Sequence, residues 1–134
     1  VWFKINPASG IPIYLQIGQQ IKTAVASGAL QPGDQLPSVR ELALELTINP
    51  NTAAKAYQEL EREGIITTIR GKGTFIANQE TPLNSKANLE LLNHNIDRLI
   101  IDALNMRLDL QELKELIDKR LTDWQKNLNR EGQT

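Results

Sequence analysis

The stretch from Leu36 to Phe75, LPSVRELALELTINPNTAAKAYQELEREGIITTIRGKGTF, constrains the fold more than any other part of this chain. It carries two helix start signals in close succession. Ser38 can cap a first helix, and Glu41 three residues on completes a capping box. Leu42, Ala43 and Leu46 supply that helix's buried side. Asn49-Pro50 repeats the signal, with Asn49 as cap and Pro50 in the first turn, where a missing N–H is tolerated. Ala53, Ala56, Tyr57 and Leu60 form the apolar stripe of the second helix, and Gly64 stands where a left-handed stop is wanted. Only about three residues separate the two helices, the spacing of a helix-turn-helix. The β-branched runs Ile65–Ile69 and Thr74–Ala77 then flank Arg70-Gly71-Lys72-Gly73, which reads as a β-hairpin with a glycine-permitted tip. Helix, turn, helix and hairpin in this order predict a winged helix-turn-helix.

The flanks extend the pattern. Val1–Ile5 is a short β-prone run, followed by a loop at Asn6–Gly10. From Pro12 a helix is predicted, with Ile13, Ile17, Ile21 and Ala24/Val25 at three- and four-residue spacing and Gly28 as its stop. Gln31-Pro32-Gly33-Asp34 is a turn, and Leu36-Pro37-Ser38 opens the next helix. Asn78–Ser85 is polar, contains Pro82 and reads as a linker. Beyond it, Leu89, Leu92, Ile96, Leu99, Ala103 and Met106 make a heptad-type apolar seam. Asp109 and Glu112 form another capping box, opening a last helix with the stripe Leu113, Ile117, Leu121, Trp124 and Leu128. The expected fold class is therefore mainly α with a small β-hairpin. Residues 1–78 form a winged helix-turn-helix domain, and residues 79–134 form a linker and an antiparallel α-helical hairpin. A two-helix hairpin has a thin core, so its remaining apolar surface needs either the N-terminal domain or a second copy of the chain. The second copy is the favoured reading, which makes the seam from Leu89 to Met106 the dimerisation surface.

Charge bears on what such a chain can bind. The 134 residues carry a formal net charge of −1 and no cysteine, so disulfides, thiolate metal sites and Cys nucleophiles are excluded together. No apolar run reaches membrane-spanning length and no charged-then-apolar leader is present, so a cytoplasmic protein without membrane contact is expected. Residues 1–78 hold seven Lys/Arg against six Asp/Glu, and residues 79–134 eight against ten. The local distribution is more telling. Lys55 is the only charge between Leu46 and Gln58, and Arg70 and Lys72 are the only charges between Gly64 and Gln79. A phosphate-facing surface can be built from such acid-free segments without a basic whole.

On the second helix, Asn51, Lys55, Gln58 and Arg62 share one face, opposite Ala53, Tyr57 and Leu60. The small polar residues Asn49, Asn51 and Thr52 open it. Helix N-termini suit phosphate, because unpaired N–H groups and the positive dipole end point outward. Asn can also pair both groups of an adenine edge in a major groove, and Lys55 can reach guanine or phosphate. Arg40 is placed to clamp backbone. Gly71 and Gly73 let the tip approach a groove closely, and an arginine such as Arg70 fits a narrow minor groove. Blander roles stand beside these: Asn49-Pro50 as a plain helix start, Arg40 as a salt-bridge partner of Glu41 or Glu45, and Gly71-Lys72-Gly73 as an ordinary solvated turn.

These residues also carry a family resemblance. The motif LPSVRELALEL-TINPNTAAKAYQELEREGIITTIRGKGTF resembles the winged helix-turn-helix of GntR-type bacterial transcription regulators. The wording NPNT…AYQELEREG…RGKGTF with a short two-helix tail is most similar to their YtrA-like subgroup. The resemblance covers about residues 11–77; the tail matches by length and helix pairing more than by motif. It implies a homodimer on a pseudo-palindromic, double-stranded DNA operator, with each second helix in a major groove and each wing at a minor groove. By position, it implies DNA contacts from Arg40, from Asn49, Asn51, Thr52 and Lys55, and from the wing tip Arg70, Gly71 and Lys72. Relatives in the subgroup are often repressors. Thr47 departs from the pattern, since such turns usually carry Gly, and a left-handed Thr there costs backbone energy.

Other chemistry finds little support. His94 is the only histidine and has no neighbouring His or Cys, so no metal site is expected. Gly71-Lys72-Gly73-Thr74 lacks the spacing of a phosphate loop. No Ser-His-Asp or paired-carboxylate arrangement suggests catalysis. A non-enzyme that needs no cofactor is expected. Two alternatives stay open: a winged-helix protein-interaction module without DNA sequence specificity, and a sensor of an unidentified small-molecule effector, which is compatible with DNA binding.

Overall fold

Residues 3–78 and 86–131 are described by the computed structural model, in which the chain divides into two units, Val1–Gln79 and Glu80–Thr134. In the first unit, helix α1 spans Ile13–Ser27 and ends at Gly28, whose φ of 85° gives the left-handed stop. Ile17 and Ile21 of its apolar face are buried completely. Of the β-prone start, residues 3–5 form no strand, and Val1 and Trp2 lie outside the described residues. Two glutamines of α1 take up the backbone instead. Gln20 accepts from Lys4 N at 3.0 Å and donates to Lys4 O at 2.8 Å. Gln16 accepts from Asn6 N at 2.9 Å and donates to Asn6 O at 3.0 Å. Each side-chain amide satisfies the donor and acceptor that a neighbouring strand would have met.

The segment after the Gln31–Asp34 turn departs from expectation. Gln35–Leu36 forms a two-residue strand, β1, rather than the approach to a helix. Pro37 explains this, because the residue before a proline is pushed out of the helical region toward extended backbone. Helix α2 (Val39–Leu46) follows, with Ser38 Oγ accepting from Glu41 N as the capping motif predicts. Helix α3 (Pro50–Arg62) starts from Asn49, whose side chain accepts from Asn51 N. Strands β2 (Ile66–Ile69) and β3 (Gly73–Ile76) complete an antiparallel three-stranded sheet in the order β1-β3-β2. Leu36 faces Thr74 across one ladder and Ile66 faces Ile76 across the other.

A single core joins these pieces. Ile17 and Ile21 of α1, Leu42 and Ala43 of α2, Ala53, Ala56, Tyr57 and Leu60 of α3, and Leu36, Ile66 and Ile76 of the sheet form one buried cluster. The fold class expected from the sequence is thereby met, with one strand more than foreseen. Between α2 and α3, Thr47 adopts φ 53° and ψ 51°, the left-handed conformation that glycine would take without strain.

The second unit consists of α4 (Lys86–Asn105) and α5 (Leu110–Glu131), which contact each other. Arg107 is left-handed (φ 64°), and Leu108 N bonds Ala103 O at 3.0 Å, closing α4. The capping box at Asp109 forms in both directions, Glu112 N donating to Asp109 Oδ1 at 2.8 Å and Asp109 N to Glu112 Oε1 at 3.4 Å. The bond from the Glu112 backbone N–H, foremost, holds the Asp109 carboxyl below its usual range. Of the apolar residues described here, only Ala103 and Leu113 are buried. Leu89, Leu92, Ile96, Leu99 and Met106 of the expected seam are all exposed, as are Leu121 and Trp124 of α5. Apart from Asn78, the expected linker lies outside the described residues.

Thr47→Gly is expected to stabilise the chain by about 0.5–1 kcal/mol, the relief of a left-handed β-branched residue less the unfolded-state entropy of glycine. A urea unfolding midpoint that falls on this substitution contradicts the reading.

Candidate nucleic-acid interface

Three elements bring exposed cations to the surface of the first unit. Arg40 lies in the first turn of α2, Lys55 in the middle of α3, and Arg70 and Lys72 at the wing tip; all four are exposed. The ion pairs of this unit involve Lys22 with Glu63 (2.7 Å) and Arg62 with Glu59. Arg40, Arg70 and Lys72 pair with no acid among the described residues. The salt bridge to Glu41 or Glu45 that would have explained Arg40 structurally is therefore not made. Arg62, although on the α3 face with Asn51 and Lys55, is drawn to Glu59, whose hydrogen bond and charge raise the guanidinium pKa further.

The start of α3 differs from a bare helix N-terminus. Pro50 has no N–H, Asn51 N is taken by Asn49 Oδ1 at 2.8 Å, and Thr52 N and Ala53 N bond Asn49 O at 2.9 and 3.3 Å. The first-turn amides are thus already engaged within the chain, and the expectation of outward-pointing free N–H groups is corrected. Contacts from this end of α3 fall to side chains: exposed Asn51, half-buried Thr52 and exposed Lys55. Asn49 has committed its side-chain oxygen to the cap. Lys55 is not adrift either, because its ammonium lies 4.1 Å from the centroid of the Tyr14 ring on α1. Such a cation–π contact contributes about 0.5–1 kcal/mol at an exposed site.

At the wing, Lys72 N donates to Ile69 O at 2.9 Å and Gly71 has φ 80°, the conformation of the third residue of a type II turn. Only glycine takes that position without strain. The turn holds Arg70, Gly71 and Lys72 outside the last ladder pair, Ile69 with Gly73. The approach to the tip is less uniformly basic than the local sequence suggested. A cleft of about 580 Å³ is lined by Gln35, Ser38, Glu41, Glu45, Lys72 and Thr74 among others, so two α2 carboxylates share it with a wing lysine.

Tyr57 links α3 to the entry of α2. Its hydroxyl donates to Pro37 O at 2.7 Å. Burial, followed by the charges of Glu41 and Glu45, pushes its phenol well above the ordinary tyrosine value, which keeps it a neutral donor. Tyr14 and Gln35 were not singled out from the sequence, and Glu41 and Glu45 were read there as a cap and as partners for Arg40, not as neighbours of Lys72. Their roles arise between elements remote in the chain, where spacing carries no signal. The nearest sequence hint is Tyr14 itself, an aromatic just inside a helix whose buried stripe is aliphatic.

Residues 13–76 match the family model described as bacterial regulatory proteins, gntR family. Over 120 residues the chain is 45% identical to the HTH-type transcriptional repressor YtrA of Bacillus subtilis, covering 90% of this chain and 92% of that relative. Its structure is similar to the crystal structure of a transcriptional antiterminator from Listeria monocytogenes EGD-e, with a TM-score of 0.80, 43% identity and 92% of each chain covered. YtrA from Sulfolobus acidocaldarius, a GntR-family transcription factor, is similar with a TM-score of 0.58 and 35% identity over 90% of this chain and 97% of that one.

Because Arg40 has no ion-pair partner to lose among the described residues, Arg40→Ala should leave unfolding free energy within about 0.5 kcal/mol of the parent chain. Asn49→Ala, which removes a cap, should cost about 1 kcal/mol. Denaturant titration of the two variants separates a surface cation from a structural residue; a costly Arg40→Ala would assign Arg40 to stability.

Proposed function

The chain belongs to the gntR family of bacterial regulatory proteins, DNA-binding transcription regulators, and from that premise we propose that it is a repressor acting as a homodimer on a pseudo-palindromic operator. The observation that carries the DNA-binding part is the set of exposed, unpaired cations, Arg40, Arg70 and Lys72, on the helix-turn-helix and wing. Arg40 and Lys72 clamp phosphates. Asn51, Thr52 and Lys55 face base edges in the major groove, where Asn can pair an adenine in two places. Asn49 acts at the same end of the helix chiefly by capping it. Gly71 lets the tip come close, and Arg70 enters the adjoining minor groove, where narrow width concentrates negative potential.

The dimer is supported by the open seam. Leu89 (47% exposed), Leu92 (55%), Ile96 (49%) and Leu99 (44%) lie along α4 and stay about half exposed, α5 reaching Ile96 and Leu99 only in part among the described residues. Large apolar side chains in a contiguous row mark an interaction surface. Ala103 is buried and Met106 lies at the end of the row. A second copy of the hairpin makes a four-helix assembly of the two-helix tail and gives each apolar stripe a partner. The pairing then sets the recognition helices one turn of DNA apart, ~34 Å. Occupancy at a promoter excludes polymerase. A small-molecule effector has a hollow available between α4 and α5, about 280 Å³ and lined by Ile96, Leu99, Ile100, Leu110, Leu113 and Ile117 with Lys114 and Asp118 at its edge.

Arg40 and Lys72 on phosphates in each of two protomers predict a slope of about −4 for log affinity against log salt on a duplex the protein selects from a random pool. Arg40→Ala should weaken all sequences evenly and shallow that slope by about 2, whereas Asn51→Ala should change which bases are preferred. Salt-independent binding, or no selected sequence, sinks the reading. For the dimer, Ile96→Asp should give a monomer by sedimentation and reduce a two-half-site duplex to the affinity of a single half-site. A dimer that persists in this variant assigns pairing to another surface.

A further inference from the structure

We propose that Gln35 is a positioning residue for DNA binding: its side-chain amide locks the wing backbone at Lys72, so that Arg70 and Lys72 are presented in one pose. The inference rests on the reading that the wing contacts operator DNA. Gln35 is the exposed half of the two-residue strand β1 and pairs with Phe75 of β3. Its Nε2 donates to the Lys72 carbonyl at 3.3 Å. The Lys72 N–H donates to Ile69 O at 2.9 Å. Both backbone groups of Lys72 are therefore held, one from within the turn and one from a strand distant in sequence. The turn's own bond ties β2 to β3 but leaves the tip free to rock about the hairpin axis. A bond from β1, on the far edge of the sheet, opposes that motion.

Gly73 supplies the room. A Cβ built on it would stand 2.7 Å from Gln35 Nε2, closer than real contacts allow, and its φ of 128° is one that side-chain-bearing residues rarely adopt. The missing side chain at position 73 and the amide at position 35 are two halves of one arrangement. The consequence is thermodynamic. An exposed hairpin tip with few buried contacts samples several poses, and ordering it on DNA would subtract from affinity. Gln35 does that ordering in the free protein, without touching DNA itself.

The test uses Gln35→Met, which keeps the side chain's length but has no N–H to donate. Affinity for a fluorescent duplex selected by the parent protein from a random pool should fall about fivefold, the size of one ordinary net hydrogen bond. The salt slope should stay unchanged, because no phosphate contact is lost, and the urea midpoint should fall by no more than the loss of one exposed hydrogen bond accounts for. Gln35→Glu, which sets a carboxylate against the Lys72 carbonyl, should fall further. In an Arg70→Ala/Lys72→Ala background, Gln35→Met should have no additional effect, since there is no longer a contact to position. An equal loss in that background overturns the proposal by showing that Gln35 acts elsewhere. Unchanged affinity in Gln35→Met, with a clear loss in Arg70→Ala/Lys72→Ala, overturns it while leaving the wing reading intact. If Arg70→Ala/Lys72→Ala itself binds like the parent, the wing reading fails and the proposal with it.

Discussion

The packing of α3 into the remainder of the first unit is the contact on which the rest depends. Its buried stripe is built from two alanines, a tyrosine and a leucine: Ala53, Ala56, Tyr57 and Leu60. The alanines leave room for neighbouring helices to approach closely, and both α1 and α2 contact α3. Leu60 is buried in the same cluster, and each fully buried aliphatic there contributes about 1.5–3 kcal/mol. Tyr57 adds direction to this non-directional packing. Its hydroxyl bonds the carbonyl of Pro37, tying α3 to the chain where strand β1 gives way to α2. Because α2, α3 and the wing lean on the same core, the cations they carry are held in a common framework.

That framework does not rely on bulk charge. The chain is slightly acidic, and Glu41 and Glu45 line the cleft that Lys72 also borders. The amides at the start of α3 are satisfied by Asn49 and by the absence of an N–H at Pro50, so the helix end has no open donors in its first turn. What this surface offers instead is a small number of exposed side chains, of which Arg40, Arg70 and Lys72 pair with no acid among the described residues. This is an economical way to separate affinity from specificity. On the proposed reading, phosphate contacts from Arg40 and Lys72 would orient the domain, and base contacts from the α3 side chains would discriminate.

The tail poses the opposite problem. Its two helices are long, yet among the described residues they bury only Ala103 and Leu113 completely. Capping at Asp109 and the left-handed Arg107 make the hairpin locally well formed. Isolated helices gain most of their stability from packing, and two packed only on each other gain little. The open apolar row on α4 is therefore surface that calls for a cover, and the proposed second copy would supply a matching row with no new sequence required.

Much of this could be read before folding. The caps at Ser38 and Asn49, the stops at Gly28 and Gly64, the stripe of α3 and the hairpin with its glycine tip are local, and short-range hydrogen bonding and periodicity dictate them. The acid-free stretches around Lys55 and around Arg70 and Lys72 were likewise visible as composition. The strand at Gln35–Leu36 was not, because two residues offer no periodicity and become a strand only when β3 is there to pair with them. The glutamine bonds to the N-terminal backbone, the Lys55–Tyr14 contact, the carboxylates beside Lys72 and the Gln35 brace on the wing all join residues far apart in sequence. The sequence by itself determined where helices start and stop and which side chains carry charge, since those depend on neighbours within a turn. Only the tertiary structure decided which of those side chains are spoken for and which stay free, since hydrogen bonding and electrostatics act through space rather than along the chain.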